Sequence, residues 1–195
     1  MIGQCFYRFM NGLNRNWFLL WNRSRFKHFG VKSRVYKPLL IEGTKNITIG
    51  NNVIIHDGTW LAARPLTGGE CVLEIGSGTS IGNFNHIYAT QKIVIEKSVL
   101  TADKVYISDN LHSYEDVSMP IIKQPIKQCS PVVIGEGAWL GEHVCVMGAC
   151  IGKHCIIGAN SVVTKDIPDY CVAVGAPARV IKKYDFDTKK WVNTK

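Results

Sequence analysis

The chain has no run of about 18 consecutive apolar residues, so no transmembrane span is expected. It has no Cys-x-x-Cys pair, and Cys145, Cys150 and Cys155 stand five apart, which is not a zinc spacing. Its seven cysteines are an odd number and read as reduced, small, buried residues of a cytosolic protein. The N-terminus lacks the unbroken apolar stretch and small-residue cleavage site of a secretory signal. Acid is nearly missing from residues 1–45, where Glu42 faces nine basic side chains: Arg8, Arg15, Arg23, Arg25, Lys27, Lys32, Arg34, Lys37 and Lys45. The whole formal charge of +8 therefore belongs to that segment, and the rest of the chain is balanced. No nucleic-acid reader motif accompanies this charge, so a nucleic-acid partner is not expected.

What is present is a repeat. At 195 residues the chain is long enough for one domain with a real core. An aliphatic residue, often followed by Gly, recurs every six positions: "IGNNVI" from Ile49, "IHDGTW" from Ile55, then Leu61, Ile75, Ile81, Ile87, Ile95, Thr101 and Ile107. After a break the pattern resumes at Ile134, Leu140, Val146, Ile151, Ile157 and Val163, with one five-residue unit at Val146. The fifth residue of each unit is usually small or β-branched, as at Val53, Thr59, Thr79, Val99, Val105, Ala138, Val144, Cys150, Cys155 and Ser161. A period of six fits neither an amphipathic helix nor a long alternating strand. It gives short flat strands separated by corners. Three strands close a triangular coil, and stacked coils bury one continuous core. The groups of three predict about five coils over residues 46–175.

Three segments stand outside the repeat. In residues 1–23, Phe6, Phe9, Met10, Leu13, Trp17, Leu20 and Trp21 fall on one face at helical spacing. This basic amphipathic N-terminal segment (1–45) suits either an anionic membrane surface or packing against protein. Residues 113–133 interrupt the repeat and read as a substrate loop, with a shorter excursion at 64–74. After Pro168 the extension 176–195 is expected to form a short helix covering the end of the coil.

These units resemble the hexapeptide-repeat acyltransferases, whose fold is a left-handed parallel β-helix. The tail "IGANSVVTKDIPDYCVAVGAPARVIKKYD" resembles that of the maltose, galactoside and polysaccharide O-acetyltransferases. The likeness spans about residues 46–184. It implies acetyl-CoA as co-substrate, no metal, a sugar or glycan acceptor, and a homotrimer with sites between neighbouring coils. A histidine at the head of the loop is the general base in such enzymes, and His112 matches it. An imidazole titrates near working pH and can take a hydroxyl proton as the oxygen attacks a thioester. Asp109, Glu115 or Asp116 could orient the ring, or a backbone carbonyl could. Relatives often read Asp-His-Asn-His where this chain has Asp109-Asn110-Leu111-His112, so their second histidine is missing. Asn85, in "NFNH", matches an acceptor-site amide. His86 is a rival base, and Tyr114 and Glu115 flank the loop as acceptor contacts. For the cofactor, Trp139, Ala159 and Thr164 match residues lining the thioester arm, and Lys165, Arg179 and Lys182 match phosphate contacts.

The resulting expectation is direct O-acetylation of a sugar hydroxyl by a cytoplasmic enzyme, on a surface-polysaccharide or lipopolysaccharide precursor or a small saccharide. Peripheral contact at the inner face of the membrane through residues 1–23 is an open alternative. So are N-acetylation of an amino sugar, a non-catalytic β-helix scaffold, and a metal-dependent carbonic anhydrase with His86, His112 and His143 as the histidine set.

Overall fold

The computed structural model describes residues 22–194. Coil by coil, the strands are β1 (His28–Phe29), β2 (Arg34–Val35), β3 (Leu40–Glu42); β4 (Ile47–Ile49), β5 (Ile54–Ile55), β6 (Trp60–Ala63); β7 (Val72–Ile75), β8 (Ser80–Ile81), β9 (His86–Ala89); β10 (Lys92–Ile95), β11 (Leu100–Thr101), β12 (Tyr106–Ser108). A hairpin of β13 (Asn110–His112) and β14 (Ile126–Gln128) then leaves the coil. Winding resumes with β15 (Val132–Ile134), β16 (Trp139–Leu140), β17 (Cys145–Met147), a bridge at Ile151, β18 (Ile156–Ile157), β19 (Val162–Val163), a bridge at Ile167 and β20 (Cys171–Val174). The chain ends on β21 (Arg179–Asp185) and β22 (Lys190–Asn193).

Equivalent strands stack in parallel to make three sheets: β1-β4-β7-β10-β15; β2-β5-β8-β11-β16-β18-β20; and β3-β6-β9-β12-β17-β19. The aliphatic heads of the repeat point inward. Ile49, Ile55, Leu61, Ile81, Ile87, Ile95, Ile107, Ile134, Leu140, Val146, Ile157 and Val163 are all fully buried in one cluster. Each such side chain contributes roughly 1.5–3 kcal/mol by leaving water, so the column of heads is the main source of stability. The corners follow from the same spacing. The fourth residue of a unit takes a left-handed φ, as at Asn52, Gly58, Gly78, Ser98, Gly137 and Asn160. The glycine after a head lets coils close up: a Cβ on Gly76 would lie 2.5 Å from the Glu96 carbonyl carbon in the next coil.

Three features differ from expectation. A coil precedes the five anticipated, because Phe29, Val35 and Ile41 continue the six-residue period into the basic segment. Its signature was obscured by an aromatic head and only one head-Gly pair. Second, the 176–195 extension is not helical. β21 pairs antiparallel with β20 and β22 with β21. The last coil leaves an open sheet edge, and strand pairing satisfies its backbone as a helix would not. Third, Cys150 is only half-buried, because the five-residue unit at Val146 moves the interior corner place to Ala149. Cys155 and Cys171 are buried, and burial pushes the Cys155 thiol up to about 11. The proposed N-terminal helix falls almost wholly outside the described residues. Among those described, no helix is long and apolar enough to cross a membrane.

Candidate active site

The corner between the third and first sheets is where the coil opens. The chain crosses it in two residues at Thr90–Gln91, but by an excursion at 64–71 and a longer one at 109–131. The longer one is an arm. In its hairpin, Asn110 faces Gln128, Leu111 faces Lys127 and His112 faces Ile126. Ser113 N–H donates to Pro125 O at 3.1 Å, closing the ladder. Beyond it Val117 is 99% exposed and Ile122 88%. Within the tip, Gln124 is buried and its Nε2 donates to Asp116 O at 2.8 Å and Met119 O at 3.0 Å.

His112 ends β13 and is exposed, and its ring makes no hydrogen bond to a described residue. It stands at the root of the arm with both ring nitrogens available to a ligand. Tyr114 and Glu115 follow it. The Glu115 carboxylate pairs with Lys127 and accepts from Tyr114 N–H at 3.0 Å, and the Lys127 ammonium lies 5.9 Å from the Tyr114 ring centre. The hydrogen bond from Lys127 is the first cause holding Glu115 down to about 2.

Asp109 does not orient the His112 ring. It is buried and turned back onto the tight corner. Its Oδ1 accepts from Thr90 N–H at 2.8 Å and Asn110 Nδ2 at 3.1 Å, with the Thr90 Oγ1 atom 3.1 Å away. Its Oδ2 accepts from Gln91 N–H at 2.8 Å and Lys92 N–H at 2.7 Å. Burial by itself would raise this carboxyl, but the donors at Thr90, Asn110, Gln91 and Lys92 outweigh it and hold the group below its ordinary value. Asp116 is likewise engaged locally, accepting from Ser118 Oγ at 2.6 Å.

Asn85 is also not at the surface. It is the fifth residue of its unit, the interior corner place, and is 1% exposed. Its Nδ2 donates to Ala102 O at 2.9 Å and Asn83 O at 3.2 Å, tying one coil to the next. Its Oδ1 is buried without a partner among the described residues.

His86 lies on the outer face of the third sheet, in register with Trp60 and Tyr106. Its ring stacks on Trp60 at 4.2 Å and 6°, with the Tyr106 ring edge-on at 5.2 Å. Trp60 Nε1 donates to Glu42 at 3.2 Å, and Glu42 pairs with Arg64. Burial holds the His86 imidazole below its usual range, so it is neutral at pH 7, and its Nε2 has no partner among the described residues. This aromatic face was not anticipated, although the spacing of Trp60, His86 and Tyr106 on equivalent units could have indicated it.

The cofactor candidates divide between two corners. Trp139, 48% exposed, opens β16 on the outer face of the second sheet, paired with Ile156. Ala159 lies exposed just beyond β18, at the corner between the second and third sheets, and a Cβ on Gly141 would lie 2.7 Å from its backbone nitrogen. Arg179 is opposite Val174 at that same end, and Lys182 is opposite Val172 further along β21. Thr164 and Lys165 follow β19 at the corner from which the arm leaves, two coils beyond it. Within one chain, then, His112 lies across the third sheet from Trp139, Ala159 and Arg179. His86, His112 and His143 do not converge either. The first is on a sheet face, the second on the arm, and the third at a left-handed turn with φ 57°.

Three stacked sheets wound from six-residue units, with an arm at one corner, define a hexapeptide-type parallel β-helix. The family model described as bacterial transferase hexapeptide (six repeats) matches residues 131–165. A chain assigned as a lipopolysaccharide biosynthesis O-acetyl transferase, WbbJ of Escherichia coli (strain K12), is 35% identical over 79% of this chain and 80% of its own length. An assigned acetyltransferase of Mycobacterium tuberculosis, Rv3034c, is 38% identical over 85% of this chain but only 57% of its own length. Among solved structures, a maltose O-acetyltransferase from Clostridium difficile 630 superposes with a TM-score of 0.56 at 29% identity, covering 84% of this chain and 72% of that one. The N-acyltransferase AntD from Bacillus cereus, in complex with dTDP and 3-hydroxybutyryl-CoA, gives 0.72 at 21% identity over 86% and 88% of the chains, a likeness of fold. The chain belongs to the hexapeptide-repeat transferase family, with its left-handed β-helix, and is an acyltransferase.

Proposed function

We propose that the protein transfers an acetyl group from acetyl-CoA to a sugar hydroxyl, with His112 as general base. The observation that carries this is the His112 ring, exposed and unengaged at the root of an arm that interrupts an otherwise regular coil. The O-acetyl transferase relatives support the chemistry. His112 takes the acceptor proton as the oxygen attacks the thioester carbonyl. The carbon–sulfur bond then breaks, and the proton passes from the imidazolium to the departing thiolate. No covalent acyl-enzyme is required. The pantetheine arm suits the exposed backbone beside Ala159 with Trp139 against it, and the Thr164 hydroxyl of a second copy, since the two lie at different corners of one chain. Lys165, Arg179 and Lys182 are exposed cations suited to the phosphates. Asn85, buried in its corner, is left out of this scheme.

The separation of His112 from Trp139, Ala159 and Arg179 within one chain favours a site shared between two copies, as a homotrimer with cyclic symmetry would supply. The basic segment 1–23 would hold such an enzyme near anionic lipid, and with it a lipid-linked or polymeric glycan acceptor. Its removal should then abolish liposome binding while sparing turnover on soluble sugars.

The test is thiol release from acetyl-CoA by wild-type protein and His112→Ala across sugar, nucleotide-sugar and amino-sugar acceptors. Acceptor-dependent release lost in the variant, with acetyl-CoA binding kept, is the expected result. Release with amino sugars alone would reassign the reaction to N-acetylation. Wild-type turnover by the variant would remove His112 as base, and the neutral His86 would be next.

A further inference from the structure

Gln128 has every hydrogen-bonding position of its side chain in use. Its Oε1 accepts from Thr67 Oγ1 at 2.6 Å and from Thr90 Oγ1 at 2.8 Å. Its Nε2 donates to Asp109 O at 2.6 Å and to Cys129 O at 3.1 Å. A carboxamide offers two lone pairs and two N–H groups, so none is spare. These four contacts join four segments: the 64–71 excursion, the tight corner at Thr90, and the two roots of the arm. Thr67 is 61 residues away in sequence, on a loop that meets the arm only because both leave the same corner of the coil.

The arm needs such a joint. Its two strands are three residues each and pair only with one another. A lone short hairpin is marginal in water and does not fix its own direction. On the β13 side, Asp109 pins the root to the corner through its carboxylate. On the β14 side, Gln128 is directly opposite Asn110, two rungs from the His112–Ile126 pair. We infer that Gln128, braced by Thr67 and Thr90, is a positioning unit that aims the arm and so sets where the His112 ring meets the acceptor. This rests on His112 being the base. A displacement of about 1 Å at a reacting group can cost on the order of 100-fold in rate, so a joint two rungs from the ring has leverage. It touches no substrate itself.

The experiment uses full-length protein and two readouts. Thr67→Val removes one hydroxyl from outside the arm, and Gln128→Leu removes the joint. Hydrogen exchange followed by mass spectrometry should show faster exchange in the 109–130 peptides for both variants, with the coil peptides unchanged and Thr67→Ser like wild type. Thiol release from acetyl-CoA, with the best soluble acceptor of maltose, N-acetylglucosamine and UDP-N-acetylglucosamine, should fall about 5–20-fold in kcat for Thr67→Val and further for Gln128→Leu. The KM for acetyl-CoA should stay within about twofold, and Thr67→Ser should recover the rate. In a His112→Ala background the residual release, followed at high enzyme concentration, should fall no further, because the ring they act through is gone. Unchanged exchange in both variants overturns the proposal. So does a rate loss of equal size with and without His112, which would mark a general structural defect. A His112→Ala protein with wild-type turnover would remove the base instead, a different failure from a silent Gln128→Leu.

Discussion

The corner at Thr90–Gln91 and the corner at 109–131 join the same two sheets one coil apart, yet one closes in two residues and the other opens into the arm. The closed corner leaves three successive backbone N–H groups, of Thr90, Gln91 and Lys92, pointing at the coil above. There the open corner supplies a buried carboxylate, Asp109, which accepts all three. The two corners are thus one unit. The coil can break open at the arm because the residue that begins the break satisfies the polar groups of the coil beneath. Elsewhere a carboxylate takes a single backbone N–H of the neighbouring coil, as Asp103 does from Asn83, Asp166 from Cys150 and Asp169 from Lys153, and apolar heads carry the rest. Here one carboxylate takes three.

The largest expected effect comes from breaking this junction. Asp109→Ala leaves three backbone donors without their acceptor, that of Thr90 in a buried residue, and each such group kept from water costs about 1–3 kcal/mol. Urea unfolding should show the loss with little change in slope. The pH dependence has a definite sign. The Asp109 carboxyl lies below its ordinary value when folded, so the unfolded chain binds more protons as the carboxylate range is entered. Its stabilisation is complete above about pH 4 and is lost as pH falls through the folded value. Asp109→Asn should therefore have a flatter acid limb than wild type. Next in size is the apolar contrast. Ile87→Ala, in the coil below the arm, should cost about 2–5 kcal/mol through lost burial and the cavity left behind, with no change in acid sensitivity. Equal acid sensitivity in Asp109→Asn and wild type would erase the distinction between the two kinds of support.

How much of this could be read from the sequence follows the same division. The apolar column is local in its signal. Ile49, Ile55 and Leu61 announce their inward places by spacing alone, and the structure buries each of them. The preceding coil carried the same period in Phe29, Val35 and Ile41, but without the aliphatic-Gly pairing that makes a unit conspicuous. The β21–β22 hairpin was misread as a helix because the need to pair an exposed edge strand belongs to the assembled sheet, not to the segment. The place of His112 at the root of the arm was legible because a histidine at a break in a regular pattern is visible without coordinates. Asp109 was found as a residue but given the wrong partner, since its donors lie seventeen to nineteen residues earlier and meet it only through stacking. Gln128 was not found at all. Its meaning depends on Thr67, Thr90 and Asp109 arriving together, and no spacing within the arm encodes that.

A smaller effect separates the outer aromatic face from the junction. His86 is stacked on Trp60 and held below its usual range by burial. Charging it is disfavoured in the folded state, so stability is full above about pH 6.5 and declines as pH falls toward the folded value. His86→Phe keeps the stack and removes the proton-binding site. It should match wild type at neutral pH and exceed it slightly near pH 5, in a range where Asp109 is still fully ionised. Two acid limbs at different pH, removed one at a time by Asp109→Asn and His86→Phe, would assign each to its own side of the coil.

The smallest effect is expected at the arm's surface. Glu115 and Lys127 pair in full solvent, where such contacts are offset by side-chain ordering and screening. Glu115→Gln should leave the thermal midpoint unchanged within error. It also isolates the role of Glu115 beside His112, because the substitution keeps size and hydrogen bonding while removing charge. If Glu115 meets the acceptor, its KM rises while kcat and the KM for acetyl-CoA hold. If all three hold, the arm's outer surface is only a solvated face, and specificity must come from the inner side, where the arm faces the 64–71 excursion. That inner side is joined by Thr67 and Gln128, so a silent Glu115→Gln alongside a damaging Thr67→Val would locate the working side of the arm by subtraction.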